Sequence, residues 1–306
     1  MEYVLQTHNL TKIYNRTEVV SNVNMSVKKG SIYGLIGLNG AGKTTLIRMI
    51  TSLIAQNKGS VELFGKTQEE DLRKQRERIG CVIESPAFYP NLTAVQNLEY
   101  YRILKGIPEK SIIQKALKTS GLGETGKKKY KNFSLGMKQR LGMALAIMNN
   151  SDFIMLDEPT NGLDPIGIIE MRETIKKLNE EHGITFLISS HILNELSQVA
   201  THYGIINKGK LVRQLSSEEL KEECKRYILI RTDNVVKVAK ILETDLHIHN
   251  YKVTNENEIR IYEKIDNTAE ITYQLNIGGV KVETATEAGN SLEDYFTTLI
   301  GGMQNV

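Results

Sequence analysis

The hydrophobic positions of this 306-residue chain follow two regimes. Through the first ~219 residues, short apolar runs alternate with helix-like stretches. Ser31 to Ile36 (SIYGLI), Phe153 to Leu156 (FIML) and Thr185 to Ile188 (TFLI) are each bounded by Gly, Asp or Ser and followed by a loop and a helical pattern. Apolar runs this short, without polar alternation, predict strands buried on both faces. Separated by helices, they predict a mostly parallel sheet in an α/β fold. Ala94 to about Asn150 offers no convincing strand and is expected to form an inserted helical subdomain.

From about Leu220 the pattern changes. Tyr227 to Thr232 (YILIRT) alternates as a strand, and Val235 to Leu242 has a helical period. Tyr251 to Thr254 and Glu258 to Tyr262 flank an Asn255-Glu256-Asn257 turn; a weaker helix near 266–275 and a strand at Val280 to Thr284 follow. This β-α-β-β-α-β order predicts a small α+β domain over 220–306, ferredoxin-like in its succession of elements, after a first domain over 1–219. A last helix begins with the capping-box-like pair Ser291 and Asp294. Leu292, Tyr295, Phe296, Leu299 and Ile300 form its apolar face before Gly301 ends it.

Composition changes this picture little. Apolar residues are 40% and charged residues 25%, the balance of a folded globular protein. The net charge of +3 divides unevenly: residues 220–306 hold 10 basic and 14 acidic side chains, leaving 29 and 22 for the rest. A mildly basic first domain suits an anionic ligand such as a nucleotide, and the excess is too small to indicate nucleic acid. Cys81 and Cys224 form no CxxC pair, which fits a reducing compartment and hints at no metal site. Met1-Glu2-Tyr3 is no basic leader, and no run reaches the ~18 apolar residues that span a bilayer. The chain is expected to lie on the cytoplasmic side and to meet a membrane only through a partner.

Chemistry enters with Gly37-Leu38-Asn39-Gly40-Ala41-Gly42-Lys43-Thr44, which fits G-x-x-x-x-G-K-[ST] between a predicted strand and helix. Its glycines let successive backbone N–H groups turn inward on phosphate oxygens at a helix N-terminus. Lys43 can reach the β- and γ-phosphates and the Thr44 hydroxyl can ligate Mg²⁺. Gly37, Asn39, Gly40, Gly42, Lys43, Thr44 and Thr45 are the expected nucleoside-triphosphate-binding set, in a P-loop NTPase fold. Phe153-Ile154-Met155-Leu156-Asp157-Glu158 then delivers two carboxylates at the end of a buried strand. Asp157 is placed to hold Mg²⁺, and Glu158 to polarise the attacking water as general base.

With these two motifs the chain resembles ABC-transporter ATPases over residues ~10–210. Phe133-Ser134-Leu135-Gly136-Met137-Lys138-Gln139-Arg140 resembles the family signature, whose usual form is Leu-Ser-Gly-Gly-Gln. The resemblance implies a homodimer of ATPase domains in which Ser134 and Gly136 of one subunit face the γ-phosphate held by the other. Asn161-Gly162-Leu163-Asp164 resembles the D-loop of the dimer interface, so Asp164 joins the nucleotide-binding set. His191 resembles the switch histidine beside the γ-phosphate, and Tyr14 the aromatic that stacks on adenine; for Tyr14 a strand-edge role is the alternative. The expected partner is a separate membrane permease.

The departures from the family pattern are themselves informative. Leu135 and Met137 replace the usual Gly and Gln of the signature. Glu84 stands where the family has the Q-loop glutamine, as an expected Mg²⁺ and water contact that adds negative charge near the γ-phosphate. Glu84, the following Ser85 to Pro90, the Ser134 to Met137 signature and the Ser291 to Phe296 tail together resemble bacitracin-export and lantibiotic-immunity ATPases. The resemblance implies export of a peptide antibiotic; the rival is a soluble assembly-scaffold ATPase. Phe88, Tyr89, Tyr100 and Tyr101 either dock the permease or pack the helical subdomain. The Lys127-Lys128-Lys129-Tyr130-Lys131 cluster reads as a solvated loop, with anionic lipid as the alternative.

Overall fold

The chain opens with a long strand whose pleat is repeatedly interrupted. In the computed structural model, which describes residues 2–83, 87–289 and 291–301, β1 (Tyr3–Tyr14) pairs antiparallel with β2 (Thr17–Val23) and β3 (Ser26–Lys28). Its register shifts between Leu10 and Lys12, and between Tyr3 and Leu5. Asn9 and Asn22 both sit at φ 48°, a left-handed conformation that asparagine tolerates better than most residues. Each bulge flips the following side chains to the other face, so the strand never shows the period-2 signature by which such sheets are read from sequence. This antiparallel layer therefore leaves no periodic signal in the sequence.

The central sheet follows. In chain order come β4 (Ile32–Ile36), α1 (Lys43–Ile50), β5 (Lys58–Leu63), which returns to pair with β1, α2 (Glu69–Arg76) and β6 (Ile79–Val82). Three helices, α3 (Ala94–Leu104), α4 (Ser111–Thr119) and α5 (Leu135–Ile147), precede β7 (Phe153–Asp157). Then come α6 (Pro165–His182), β8 (Thr185–Ser190), α7 (Leu193–Ser197), β9 (His202–Asn207), β10 (Lys210–Ser216) and α8 (Ser217–Glu223). The sheet order is β10-β9-β4-β8-β7-β6, parallel except for the edge strand β10.

Every residue of β4, β7 and β8 is buried, which explains why these three runs were apolar without alternation. The register Ile36↔Ser190 and Asp157↔Ser189 brings the carboxyl ends of the three strands level. Their following loops must therefore open on one edge, where α/β sheets bind ligands. Leu46, Ile47 and Ile50 of α1 join the core formed with Leu35, Met155 and Leu187. Burying each such side chain contributes about 1.5–3 kcal/mol, which anchors the helix that carries Lys43.

The helical segment holds its own core around Leu98, Ile113, Leu117, Phe133 and Leu141. Asn97 is buried inside it without penalty, because its amide accepts from Tyr89 N at 2.8 Å and donates to the Thr93 carbonyl at 3.0 Å. Thr93 and Gln96 cap α3 reciprocally.

The chain divides into two compact units, Met1–Ser217 and Glu218–Val306. In the second, β11 (Tyr227–Thr232), α9 (Val235–Thr244), β12 (Tyr251–Asn255), β13 (Glu258–Ile261), α10 (Thr268–Ile277), β14 (Val282–Ala288) and α11 (Leu292–Gly301) follow one another. The sheet order is β12-β13-β11-β14, with every neighbouring pair antiparallel. Ile228, Ile230, Ile259 and Ile261 face a core shared with Val238, Leu242, Ile271 and Leu275 of the helices. The last strand starts at Val282 instead of Val280. Gly279 at φ 71° closes α10, and Val280, its N–H on the Leu275 carbonyl, still belongs to the helix core.

Candidate functional site

The loop between β4 and α1 is built where side chains do not fit. A Cβ on Gly37 would stand 2.5 Å from the Ile206 carbonyl oxygen, and one on Gly42 (φ 106°) 2.8 Å from that of Val19. Glycine alone accepts the crowding at both positions and the positive φ at Gly42, so the backbone can wrap close to a ligand. Asn39 and Gly40 lie exposed at the turn, with Thr45 half-buried behind them. Lys43 begins α1 and is only 5% exposed; its ammonium donates to the Gly37 carbonyl at 2.7 Å.

Two further elements close on this lysine. Asp157, the last residue of β7, accepts from the Thr44 hydroxyl through Oδ2 at 2.7 Å and from the Ser189 hydroxyl through Oδ1 at 2.5 Å. Glu158 sits at φ 51°, a left-handed conformation costly for a side chain of this kind. The turn sends its carboxylate back over the loop, where Oε1 pairs with Lys43 Nζ at 3.0 Å and Oε2 with His191 Nδ1 at 2.7 Å. Lys43, Thr44, Asp157, Glu158 and His191 thus form one connected cluster at the carboxyl edge of the sheet. Ser189 belongs to it too, a residue that no motif in the sequence marks. Its signal was register: a hydroxyl directly opposite Asp157 on the adjacent strand.

A second group gathers around the start of α5. Ser134 caps that helix by accepting from Met137 N, and Asp164 caps α6 by accepting from Gly167 N at 2.9 Å. Ser134, Gly136, Gly162 and Asp164 line a single concavity of about 400 Å³. Arg140 of α5 bridges to Glu170 of α6 at 2.8 Å across its floor. None of its lining residues belongs to the lysine cluster, so the two groups are separate on this chain.

Other expected residues fall as follows. Tyr14 ends β1 at the β1–β2 hairpin, 44% exposed, with Lys12 over its ring at 4.9 Å. Strand β2 of that hairpin is the one packed on Gly42. Glu84 and the neighbouring Ser85 and Pro86 lie outside the described residues. The aromatic group splits: Phe88 is buried in the helical core, whereas Tyr89 and Tyr100 stand exposed and edge-to-face at 4.9 Å. Within the basic cluster, Lys128 reaches Met137 Sδ at 3.5 Å.

The family model for ABC transporters matches residues 20–161. The bacitracin transport ATP-binding protein BcrA of Enterococcus faecalis is 42% identical, over 99% of this chain and 98% of its own length. The chain is an ATP-binding subunit of the ABC transporter family. The lantibiotic transport ATP-binding protein SrtF of Streptococcus pyogenes is 43% identical over 74% of this chain and 98% of that protein. Among solved structures, an ATP-binding cassette captured as a dimer in a post-hydrolysis state with ADP and Pi superposes with a TM-score of 0.63. It is 28% identical and covers 70% of this chain and 98% of its own. This ABC subunit binds ATP and hydrolyses it in support of transport, a reading these relatives favour over a soluble scaffold. No helix among the described residues is long and apolar enough to cross a membrane.

Proposed function

We propose that this subunit powers export of a peptide antibiotic of the bacitracin or lantibiotic type through a separate membrane permease, giving resistance or immunity. The observation that carries the catalytic part is the Lys43–Glu158–His191 chain of contacts at 3.0 and 2.7 Å. The cargo rests on the likeness to the bacitracin and lantibiotic transport proteins.

ATP enters on the loop Gly37 to Thr44, with Asn39, Gly40, Gly42 and Thr45 offering backbone and side-chain donors and Tyr14 beside the base. Thr44 and Asp157 present hard oxygen donors side by side, a set that suits Mg²⁺. They would hold that ion, with Glu84 as a further oxygen, and it would neutralise phosphate charge. Lys43 shifts from Glu158 toward the γ-phosphate, freeing the carboxylate. Glu158 then takes a proton from water as its oxygen attacks the γ-phosphorus and the bond to ADP breaks; His191 keeps the carboxylate aimed. Because signature and phosphate loop form separate half-sites, Ser134, Gly136 and Asp164 serve the nucleotide of a second copy. One chain holds half of each site.

Residues 1–219 act as the cassette on the cytoplasmic side of the membrane. Residues 220–306 form a ferredoxin-like accessory domain. The exposed Tyr89 and Tyr100 are the permease-facing aromatics, and membrane contact runs through that partner. No nucleic acid is involved.

The test is tolerance. A deletion strain of the source organism, complemented with this gene or its Glu158→Gln version, is challenged with bacitracin and several lantibiotics. Restoration by the native gene alone for at least one compound supports the reading; unchanged tolerance to all removes the peptide-antibiotic assignment.

A further inference from the structure

We infer that Ser189 is a positioning residue for ATP hydrolysis, a single hydroxyl that sets the geometry of both Asp157 and Glu158. Ser189 is wholly buried on β8, directly opposite Asp157 in the parallel register. Its hydroxyl donates to Asp157 Oδ1 at 2.5 Å and accepts from the Glu158 backbone N–H at 2.9 Å. One side chain thereby spends its proton on one carboxylate and its lone pair on the backbone of the next.

Each half of this contact has a consequence. With Oδ1 held by Ser189, Asp157 can turn only Oδ2 toward Thr44, where the 2.7 Å hydrogen bond is found. A carboxylate held at one oxygen keeps one orientation. Glu158 needs the second half more, because its φ of 51° is a conformation that persists only when the surroundings enforce it. The Ser189 carbonyl also accepts from Glu158 N, but at 3.2 Å, the longer of the two contacts. Without the hydroxyl, Glu158 can relax toward negative φ and its carboxylate swings away from Lys43 and His191. The residue at position 189 thus works on the reaction through its neighbours and needs no contact with substrate. A buried serine at this place has no packing advantage over alanine or valine, so its polarity is accounted for by these two bonds.

This inference rests on Glu158 being the general base, and the experiment separates the two. ATPase rate, ATP affinity measured with a fluorescent ATP analogue, and Tm are compared for the full chain and for Ser189→Ala, Ser189→Thr, Ser189→Cys and Glu158→Gln. Ser189→Ala is expected to lower kcat about 10- to 100-fold, as for loss of a hydrogen bond to a charged group. Analogue affinity should stay within about threefold of native, and Ser189→Thr, which keeps the hydroxyl, should recover most of the rate. Turnover of Ser189→Ala within about twofold of native, or no recovery with threonine, overturns the proposal. If the alanine variant does not fold, the comparison moves to cysteine, a weak donor of similar size: a loss there with threonine active supports the proposal, and full activity there overturns it. Should Glu158→Gln hydrolyse ATP at the native rate, the general-base reading fails instead.

Discussion

Lys43 Nζ lies 3.0 Å from Glu158 Oε1, so the lysine of the glycine-rich loop and the carboxylate after β7 are bound to each other. The pair is largely shielded from solvent, at 5% and 20% side-chain exposure. In the proposed mechanism, entering ATP exchanges one anionic partner of Lys43 for another, and Glu158 is released only as the lysine turns to the γ-phosphate, which links hydrolysis to binding.

Glu158→Gln removes that competition along with the base. It should tighten ATP binding about three- to tenfold and lower turnover at least about 100-fold, leaving an ATP-bound dimer visible by gel filtration. A variant that stays monomeric with ATP and turns over normally would refute the cluster's role. Lys43→Ala should lose both binding and turnover, and it leaves Glu158 without its cation.

Thr160 Oγ1 donates to Glu195 Oε2 at 2.5 Å, joining the segment that leads into Asp164 to the helix that follows His191. Thr160→Val cuts this tie while preserving shape. Turnover is expected to fall about 10- to 100-fold with ATP affinity nearly unchanged, because a hydrogen bond to a charged group contributes on the order of 1.5–3 kcal/mol. Steady-state kinetics together with equilibrium binding would check it.

Gly80 on β6 supports the signature helix by offering no side chain. A Cβ there would stand 2.3 Å from the Ala146 carbonyl oxygen near the end of α5, a backbone atom that cannot step aside alone. Gly80→Ala should destabilise the chain by about 1–3 kcal/mol through overpacking, read as a lower midpoint in urea.

Arg102 donates to Glu99 and holds its carboxyl below the usual carboxylate range. A depressed carboxyl stabilises the fold at neutral pH, and that contribution disappears as pH falls through the folded-state value. Glu99→Gln should therefore lower Tm at pH 7, with the gap to the native chain narrowing below about pH 4. A constant gap across that range would show that ionisation of Glu99 contributes nothing.

The sequence by itself determined the parts of this protein that are local. The loop Gly37 to Thr44 is a contiguous string whose chemistry follows from its own backbone, and Phe153 to Glu158 is an apolar strand ending in two acids wherever it is placed. The parallel sheet was legible because β4, β7 and β8 are buried on both faces and so carry unbroken apolar runs. The tertiary structure alone decided what depends on register and on bulges. The antiparallel layer of β1 hides behind shifted pairing. The division of the aromatics into a buried Phe88 and exposed Tyr89 and Tyr100 was decided by packing, since Phe88 joins the core of the helical segment and the two tyrosines do not. Ser189 meets Asp157 across 32 residues of chain because the register of two parallel strands sets them opposite each other, and register is fixed by the hydrogen bonds between strands.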